Sequence, residues 1–369
     1  DPDIDIVVEL FGGFTPSIEL VMTALENGKH VVTANKALIA IHGDEIFAKA
    51  QEKGLVVAFE AAVAGGIPII KTLREGLAAN NVNWLAGIIN GTGNFILSEM
   101  RDKGRDFADV LKEAQELGYA EADPTFDVEG IDAAQKLVIL AALAFGTPFD
   151  ADSCFSEGIS KVAVNDIQYA KELGYRIKHL GLANNTDAGL ELRVHPVLVA
   201  DDHLLSQVNG VMNAVYIRGD AVGSTLYYGP GAGGDATASA VLSDVLSLAR
   251  DHSISYLPEA SRVNDSVDVI SIEDTANAYY LRINVTNKAG ALSQITACLS
   301  TQNISVEALH QSGAHEHRAL ADNDNGDSVP VVLTTSKILE SDLLKAVADI
   351  KMLDLVVEDI TVLRIADFD

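Results

Sequence analysis

The sequence predicts an α/β chain in three parts: a partial doubly wound sheet, an α+β middle domain and a small βαββαβ domain. In residues 1–60, short apolar strands alternate with helices, which is typical of a parallel sheet covered on both faces. After Pro68 the alternation ends, and three successive strands later in the chain indicate a mixed or antiparallel sheet. Behind a polar stretch, the apolar pattern returns in the order strand, helix, strand, strand, helix, strand, which indicates a ferredoxin-like domain.

The first part, residues 1–60, contains three predicted strands at 4–10, 30–33 and 55–59, with helices over 16–27 and 44–53. This order matches one half of a Rossmann-like nucleotide-binding sheet. The chain starts at Asp1 without a Met, and no G-x-G-x-x-G motif follows its first strand. We expect the first half of this cofactor domain to be missing. In a complete chain, the absent motif would argue against cofactor binding.

The ends of these three strands carry glycine, lysine or acid: residues 9–13, 33–36 and 60–66. Ligands of doubly wound sheets bind at the carboxyl ends of the strands. The alternative is that the glycines only serve tight turns and that Lys36 is a surface cation. The strand-end position favours the ligand role.

The middle domain spans residues 61–228, followed at 229–255 by a glycine-rich loop and a helix that returns to the cofactor domain. We predict a helix over 69–78, a strand over 82–89, a polar turn at 90–93 that opens a helix, and a long helix over 127–145. Later strands are predicted at 190–199, 211–219 and 221–228. Glycine-rich loops allow close approach of backbone to a ligand.

A polar linker over 256–278 precedes the last domain, residues 279–369, whose strands are predicted at 279–285, 304–310, 330–335 and 355–365. Its helices are predicted over 292–300 and 340–350. The polar loop 311–328 lies between the second and third strands. His310, His315 and His317 could suggest a metal, but their spacing fits no common zinc pattern and favours a solvated loop.

Composition excludes several classes of partner. There are 26 Lys and Arg against 53 Asp and Glu, a formal charge of −27, which argues against nucleic acid or anionic membrane as the main partner. The longest apolar run, 137–145, is too short to span a bilayer. Cys154 and Cys298 form neither a disulfide framework nor a zinc pattern, so we expect buried thiols and a cytoplasmic location.

The segment 118–136 carries the densest group of candidate functional side chains, five carboxylates followed by Lys136. Asp132 and Lys136 are four residues apart on one predicted helix and therefore share a face. Burying a lysine at the head of an apolar helix costs free energy unless the lysine is paired or functional. An acidic first turn that favours the helix dipole, with an ordinary surface ion pair, remains the alternative.

The run Pro124-x-x-Asp127-Val128-x-Gly130-x-Asp132-x-x-x-Lys136 resembles the signature of the homoserine dehydrogenase family. Residues 32–38, 60–68, 90–94 and 229–233 resemble further motifs of that family, in the family's order. The last domain, with its turn at 287–292, resembles an ACT domain, an amino-acid-sensing module.

The resemblance implies NAD(P)-dependent interconversion of L-homoserine and L-aspartate 4-semialdehyde, with NADP or NAD as cofactor. It also implies site residues: Lys136 as the general acid/base; Glu121, Asp132 and Lys36 for the substrate; Lys36, Gly118 and Gly233 for the cofactor; and Glu60 with the carbonyls of Val63, Gly65 and Ile67 for a structural sodium ion. Hard oxygen ligands suit such a cation. Residues that select NAD or NADP are absent from the sequence given.

The resemblance further implies feedback inhibition by an amino acid, with threonine favoured, through the ACT domain, and a homodimer or homotetramer. The competing hypothesis is a catalytically inactive, amino-acid-binding regulatory protein, suggested by the ACT-like tail and the absent glycine motif. A non-catalytic chain has no chemical need for Glu121, Asp132 and Lys136 together, which favours the enzyme.

Overall fold

A computed structural model of the chain describes residues 1–250, 268–311 and 328–368. These ranges form a three-stranded parallel sheet and a second, larger mixed sheet. Residues 256–267 of the predicted linker, with His315 and His317, lie outside the described residues.

The described strands are β1 (Ile6–Glu9), β2 (His30–Thr33), β3 (Val57–Ala58), β4 (Val82–Ile88), β5 (Phe155–Ser156), β6 (Tyr175–Thr186), β7 (Gly189–Ala200), β8 (Met212–Gly219), β9 (Gly223–Pro230), β10 (Ala276–Thr286), β11 (Val306–His310), β12 (Ser328–Thr335), β13 (Ile338–Leu339) and β14 (Thr361–Ile365). The described helices are α1 (Ser17–Glu26), α2 (Lys36–Lys53), α3 (Ile69–Lys71), α4 (Gly91–Lys103), α5 (Phe107–Glu116), α6 (Thr125–Val128), α7 (Ile131–Phe145), α8 (Val164–Glu172), α9 (Gly234–Arg250), α10 (Ala291–Thr301) and α11 (Glu340–Lys351).

The amino-terminal sheet has the predicted parallel order β1-β2-β3. Helix α2 starts at Lys36 rather than at residue 44, because Asn35 caps it: the Asn35 side chain accepts a hydrogen bond from the Leu38 amide at 3.1 Å. Lys36 therefore lies in the first turn of a helix, directly beyond the carboxyl end of β2.

The predicted helix over 127–145 is two helices, α6 and α7, separated by Gly130. Gly130 has φ +84°, a left-handed conformation that interrupts the helical hydrogen bonds. Asp127 consequently belongs to α6, whereas Asp132 and Lys136 share α7.

The sequence analysis does not predict α8 or the strands β5 and β6 of the middle domain. Strand β6 pairs antiparallel with both β4 and β7, so it lies inside the sheet and not at an edge. Its residues 177–181 are buried on both faces, although Lys178 and His179 are polar. This strand therefore lacks the alternation of apolar and polar residues by which half-buried strands are recognised.

The carboxyl-terminal elements continue the middle sheet, whose order is β11-β12-β10-β14-β7-β6-β4-β8-β9. The junction is a parallel pairing of β14 with β7, in which Arg364 lies opposite Val197. The expected linker over 256–278 is wrong for its described part: Val269 bridges to Leu190, and β10 already begins at Ala276. These contacts pack the start of the last domain onto the middle sheet.

None of the helices in the described ranges combines the length and the apolar composition needed to cross a lipid bilayer.

Candidate active site

Three chain segments converge on one polar cluster. Lys36 begins α2 at the end of β2, Ile89 and Asn90 follow β4, and the first turns of α7 carry Asp132 and Lys136. The cluster lies where the carboxyl edge of the parallel sheet meets the middle domain. This is the edge at which such sheets bind ligands.

Asp132 is the centre of the cluster, with only 4% of its side chain exposed. Its Oδ2 lies 2.7 Å from Lys136 Nζ, and its Oδ1 lies 3.0 Å from Lys36 Nζ. Burial alone would raise the pKa of Asp132, but the charges of Lys136 and Lys36, with hydrogen bonds from Lys136 and Asn90, lower it to about 2. Asp132 is therefore an anion held between two cations.

Lys136 uses two of its three ammonium hydrogens within the protein. Nζ donates to Asp132 Oδ2 at 2.7 Å and to the Ile89 carbonyl at 2.8 Å. An ammonium group has three N–H donors, so one is left for a ligand. The side chain is 12% exposed, which keeps that donor accessible from one side.

Asn90 and Asp127 are site residues whose roles sequence reasoning missed. Asn90 Nδ2 donates to Asp127 Oδ1 at 2.8 Å and to Asp132 Oδ2 at 2.9 Å, while Asn90 Oδ1 accepts from the backbone amide of Gly93 at 2.7 Å. Burial raises the pKa of Asp127. The turn at 90–93 is recognisable as a motif in the sequence, but the carboxylates that it binds are about 40 residues away and cannot be inferred from local spacing.

The remaining predicted substrate residues lie nearer the surface. Lys36 is 34% exposed and its Nζ lies 5.6 Å from the centre of the Phe126 ring. Glu121 is exposed, and its backbone carbonyl accepts a hydrogen bond from Gln115 Nε2 at 3.0 Å. The structure thus joins Lys36 to Asp132 and Lys136, and leaves the Glu121 carboxylate outside this cluster.

The predicted cofactor glycines both have a left-handed backbone. Gly118, φ +76°, follows α5, and Gly233, φ +112°, directly precedes α9. Neither glycine has another group within 4 Å of the position that a Cβ would take. Both backbones are therefore open to a ligand.

Two other glycine-rich stretches pack against each other instead. A Cβ on Gly65 would lie 2.9 Å from the Gly231 carbonyl oxygen, and the Gly66 amide donates to the Pro230 carbonyl at 2.9 Å. A Cβ on Gly231 would lie 1.9 Å from Asn213 Nδ2. These glycines allow two loops to approach closely and so place the first turn of α9 beside the end of β3.

Glu60, the predicted sodium ligand, is buried and binds backbone amides. Its two carboxylate oxygens accept from the Ile70 amide at 2.8 Å and the Lys71 amide at 3.0 Å, at the start of α3. Burial raises the pKa of Glu60 to about 7. Among the described residues, no three acidic, His or Cys side chains form a metal-binding group.

Gly130 sets the position of α7, and replacing it with alanine should reduce stability. A Cβ there would lie 2.7 Å from Ser156 Oγ and 3.1 Å from His179 Cε1, on a left-handed backbone. We expect Gly130→Ala to lower the free energy of unfolding by about 2–4 kcal/mol in urea titrations. Gly104→Ala, at φ +61° in open space, is the control and should cost only about 1–2 kcal/mol. Equal losses in both variants would contradict the packing argument.

Comparison with known proteins identifies the family. Residues 68–246 match the family model for homoserine dehydrogenase, and residues 1–60 match the model for its NAD binding domain. The homoserine dehydrogenase of Pseudomonas aeruginosa is 56% identical over 360 residues, which cover 96% of this chain and 81% of that protein.

Comparison with solved structures gives the same family. A homoserine dehydrogenase from Thiobacillus denitrificans superposes with a TM-score of 0.91 at 51% identity, covering 99% of this chain and 83% of that one. A hyperthermophilic archaeal homoserine dehydrogenase in complex with NADPH has a TM-score of 0.58 at 31% identity, covering 66% of this chain and 71% of that one. The two matched models and these identities show that the chain belongs to the homoserine dehydrogenase family of oxidoreductases.

Proposed function

We propose that the chain interconverts L-homoserine and L-aspartate 4-semialdehyde with NAD(P), and that Lys136 moves the proton. The observation that carries this proposal is the pairing of Lys36 and Lys136 with the buried Asp132 at the carboxyl edge of the parallel sheet. Oxidation of the alcohol requires loss of a hydride from carbon and of a proton from oxygen. A positioned amine supplies the base for the second event.

Lys136 has the geometry for this proton transfer. Asp132 and the Ile89 carbonyl hold two of its N–H groups, which leaves the third position of Nζ for the substrate oxygen. As the neutral amine, Lys136 takes the hydroxyl proton of homoserine. As the ammonium, it returns a proton to the aldehyde oxygen when the semialdehyde is reduced.

We assign substrate binding to Lys36 and Glu121 and the positioning of Lys136 to Asp132. Lys36, which is partly exposed, would bind the substrate carboxylate and would also contact the cofactor. Glu121, on the loop before α6, attracts the substrate ammonium group. The partners of Asp132 are the protein's own lysines and Asn90, so we assign it the positioning of Lys136 rather than direct contact with the substrate ammonium.

The strand ends fit a nicotinamide cofactor, which accepts or donates the hydride when bound. Asn35 Nδ2 donates to the Gly13 carbonyl at 2.7 Å and Thr33 Oγ1 donates to Glu9 Oε2 at 2.6 Å, which ties the end of β1 to the end of β2. Glu9 is 3% exposed, and its Oε1 is a buried acceptor without a hydrogen-bond partner among the described residues. With Gly118, Gly233 and Lys36, these residues would hold NADP or NAD.

The proposal is tested by the absorbance of reduced nicotinamide with homoserine as substrate, using the intact enzyme and NADP or NAD in separate assays. Turnover with either cofactor supports it. Calorimetric binding of an amino acid without cofactor binding or turnover would instead support the inactive regulatory protein.

We also propose a sodium ion at Glu60 and the carbonyls of Val63, Gly65 and Ile67, supported by the buried carboxylate. Without a cation, the pKa of about 7 means that the stability contribution of Glu60 is full below about pH 4.5 and is lost as the pH rises through 7. A cation that binds the ionised carboxylate of Glu60 restores this contribution to stability. Sodium chloride should therefore raise Tm, relative to N-methylglucamine chloride, more at about pH 8 than at about pH 5. Glu60→Gln should abolish this difference, and a Tm indifferent to sodium at the higher pH would contradict the site.

We further propose feedback inhibition by threonine through the elements β10 to β14. Their order, βαββαβ with the added short strand β13, and their direct pairing with the middle sheet support this role. Inhibition of homoserine oxidation by L-threonine, but not by D-threonine, tests it.

A homodimer or homotetramer is proposed from the exposed edge strand β9, and sedimentation velocity tests it. The thiols of Cys154 and Cys298 are unpaired, which supports a reducing cytoplasmic location.

A further inference from the structure

His179 is a buried titratable residue to which the proposed mechanism gives no role. It lies on β6, and only 6% of the residue is exposed. Strand β6 pairs with β4 on one side and with β7 on the other, which holds the backbone of His179 in place. A residue on such a strand can fix the geometry of a site more exactly than a residue on a loop.

The surroundings of the His179 ring decide which nitrogen carries the hydrogen. Nε2 lies 2.9 Å from the backbone carbonyl oxygen of Glu157, which can only accept, so Nε2 is the donor. Burial lowers the pKa of His179 to about 4, so the ring is neutral near neutral pH. Nδ1 therefore carries no hydrogen, and it has no hydrogen-bond partner among the described residues.

The two other atoms of this ring edge face two glycines. A Cβ on Gly93 would lie 3.6 Å from His179 Nδ1, and a Cβ on Gly130 would lie 3.1 Å from His179 Cε1. Gly93 belongs to the first turn of α4, and Gly130 directly precedes α7. Because Nδ1, Cε1 and Nε2 follow one another around the ring, one edge of the imidazole faces both helix starts and the residue after β5.

The same two helix starts supply the groups that hold Lys136. Asp132 lies in the first turn of α7, and Ile89 directly precedes Asn90, the N-cap residue of α4. Lys136 Nζ donates to Asp132 at 2.7 Å and to the Ile89 carbonyl at 2.8 Å. Asn90 Nδ2 joins the two starts directly through its hydrogen bond to Asp132 at 2.9 Å. The direction of Lys136 Nζ therefore depends on how the start of α4 lies against the start of α7.

The segment that accepts the hydrogen bond from His179 is itself bonded to the residues before α7. Ser156 Oγ donates to the Glu129 carbonyl at 2.9 Å, and the Ile159 amide donates to the Val128 carbonyl at 2.9 Å. The bond from His179 therefore connects β6, through this segment, to the turn that leads into α7.

Packing alone does not explain a histidine at this position. An apolar side chain could fill the same volume without leaving Nδ1 as a buried acceptor that lacks a partner, which is unfavourable. The histidine adds one directed interaction, the hydrogen bond from Nε2 to the Glu157 carbonyl. This bond fixes the rotation of a flat ring whose neighbouring atoms face the two glycines.

We propose that His179 is a positioning residue for Lys136, because it holds the starts of α4 and α7 at the spacing at which the Ile89 carbonyl and Asp132 align the amine. The inference rests on the proposed function and deepens its catalytic part. His179 acts through these groups and not on the substrate, so its loss should lower kcat rather than raise KM.

Steady-state kinetics of homoserine oxidation by the intact enzyme test this role. His179→Leu removes both the ring and the donor, and should lower kcat about tenfold or more while KM for homoserine changes less than about threefold. His179→Gln places an N–H group near the position of Nε2 and should recover part of the lost kcat. Ile177→Ala removes volume from the apolar core on the same face of β6 and is the matched control. It should lower Tm and leave kcat unchanged.

Hydrogen exchange followed by mass spectrometry gives a readout that does not need turnover. The first bonded amides of the two helices are those of Gly93, bonded to Asn90 Oδ1, and Ala134, bonded to the Gly130 carbonyl. His179→Leu should speed exchange in α4 and α7 from these residues onward, more than Ile177→Ala does.

Circular dichroism and Tm show whether each variant is folded. If His179→Leu does not fold, His179→Phe, which keeps a flat ring but removes the donor, takes its place with the same expectation. Wild-type kcat in the variant that lacks the donor, or a rise in KM at unchanged kcat, would overturn the positioning role. An equal loss of kcat in Ile177→Ala would overturn it in favour of general stability, and a His179→Gln variant no better than His179→Leu would overturn the hydrogen bond as its basis. Absence of turnover in the wild type would contradict the proposed function, and the exchange rates would then still decide whether His179 holds the two helix starts.

Discussion

Lys136→Ala should lower kcat for homoserine oxidation by about 10²-fold or more, because it removes the general acid/base. The two acceptors that hold Lys136, Asp132 Oδ2 and the Ile89 carbonyl, would remain in place. The measurement is steady-state kinetics of the intact enzyme in both directions, since the same group must act in each.

Two companion variants separate proton transfer from charge. Lys136→Arg keeps a cation beside Asp132, but a guanidinium does not release its proton, so its kcat should fall nearly as far. Lys112→Ala removes an exposed lysine from α5 and should leave kcat unchanged. Wild-type kcat in Lys136→Ala would refute the role, and full activity in Lys136→Arg would reduce Lys136 to an electrostatic one.

Asp132→Asn should reduce both activity and stability, because it leaves Lys36 and Lys136 without their buried anion. A carboxyl pKa of about 2, against an ordinary 3.8, corresponds to about 2 kcal/mol of stability. We expect urea unfolding near neutral pH to show a loss of about that size. We also expect kcat to fall at least tenfold, since the amine loses the group that aligns it.

The pH dependence gives an independent check of this second prediction. Because the folded-state pKa is lowered, the contribution of Asp132 is complete above about pH 4 and is lost as the pH falls towards 2. The stability difference between wild type and Asp132→Asn should shrink over that range. Asp123→Asn, an exposed carboxylate in the same segment, should not change stability measurably at neutral pH. A difference between wild type and Asp132→Asn that does not depend on pH would contradict the ion-pair account.

The sequence alone predicted the strand–helix alternation at the amino end, since buried parallel strands and amphipathic helices are local patterns. The pairing of Asp132 with Lys136 also follows from local spacing on a helix, and their separation of 2.7 Å confirms it. The ion pair of Lys36 with the same carboxylate could not be predicted from local spacing, because it depends on how α2 and α7 pack at the edge of the sheet.

The errors have physical causes. The break at Gly130 was missed because the apolar pattern continues across it, and only the backbone angle ends the helix. The length of the linker was overestimated because polarity was taken as evidence of exposure, whereas Thr275 and Asn277 are buried beside Arg193. A polar side chain that is bonded within an interface cannot be distinguished from a solvated one by composition.

The edge of β7 that does not pair with β6 is covered by three short backbone pairings. Val269 bridges to Leu190, β5 pairs at Arg193 and Val194, and β14 pairs at Val197 and Leu198. Loss of β14 would leave the carboxyl-terminal part of β7 with unpaired backbone N–H and C=O groups. Another chain can add to such a strand edge by forming hydrogen bonds with these groups. A shortened enzyme that ends before β14 should therefore be prone to aggregation during expression, even though every residue of its catalytic cluster is retained.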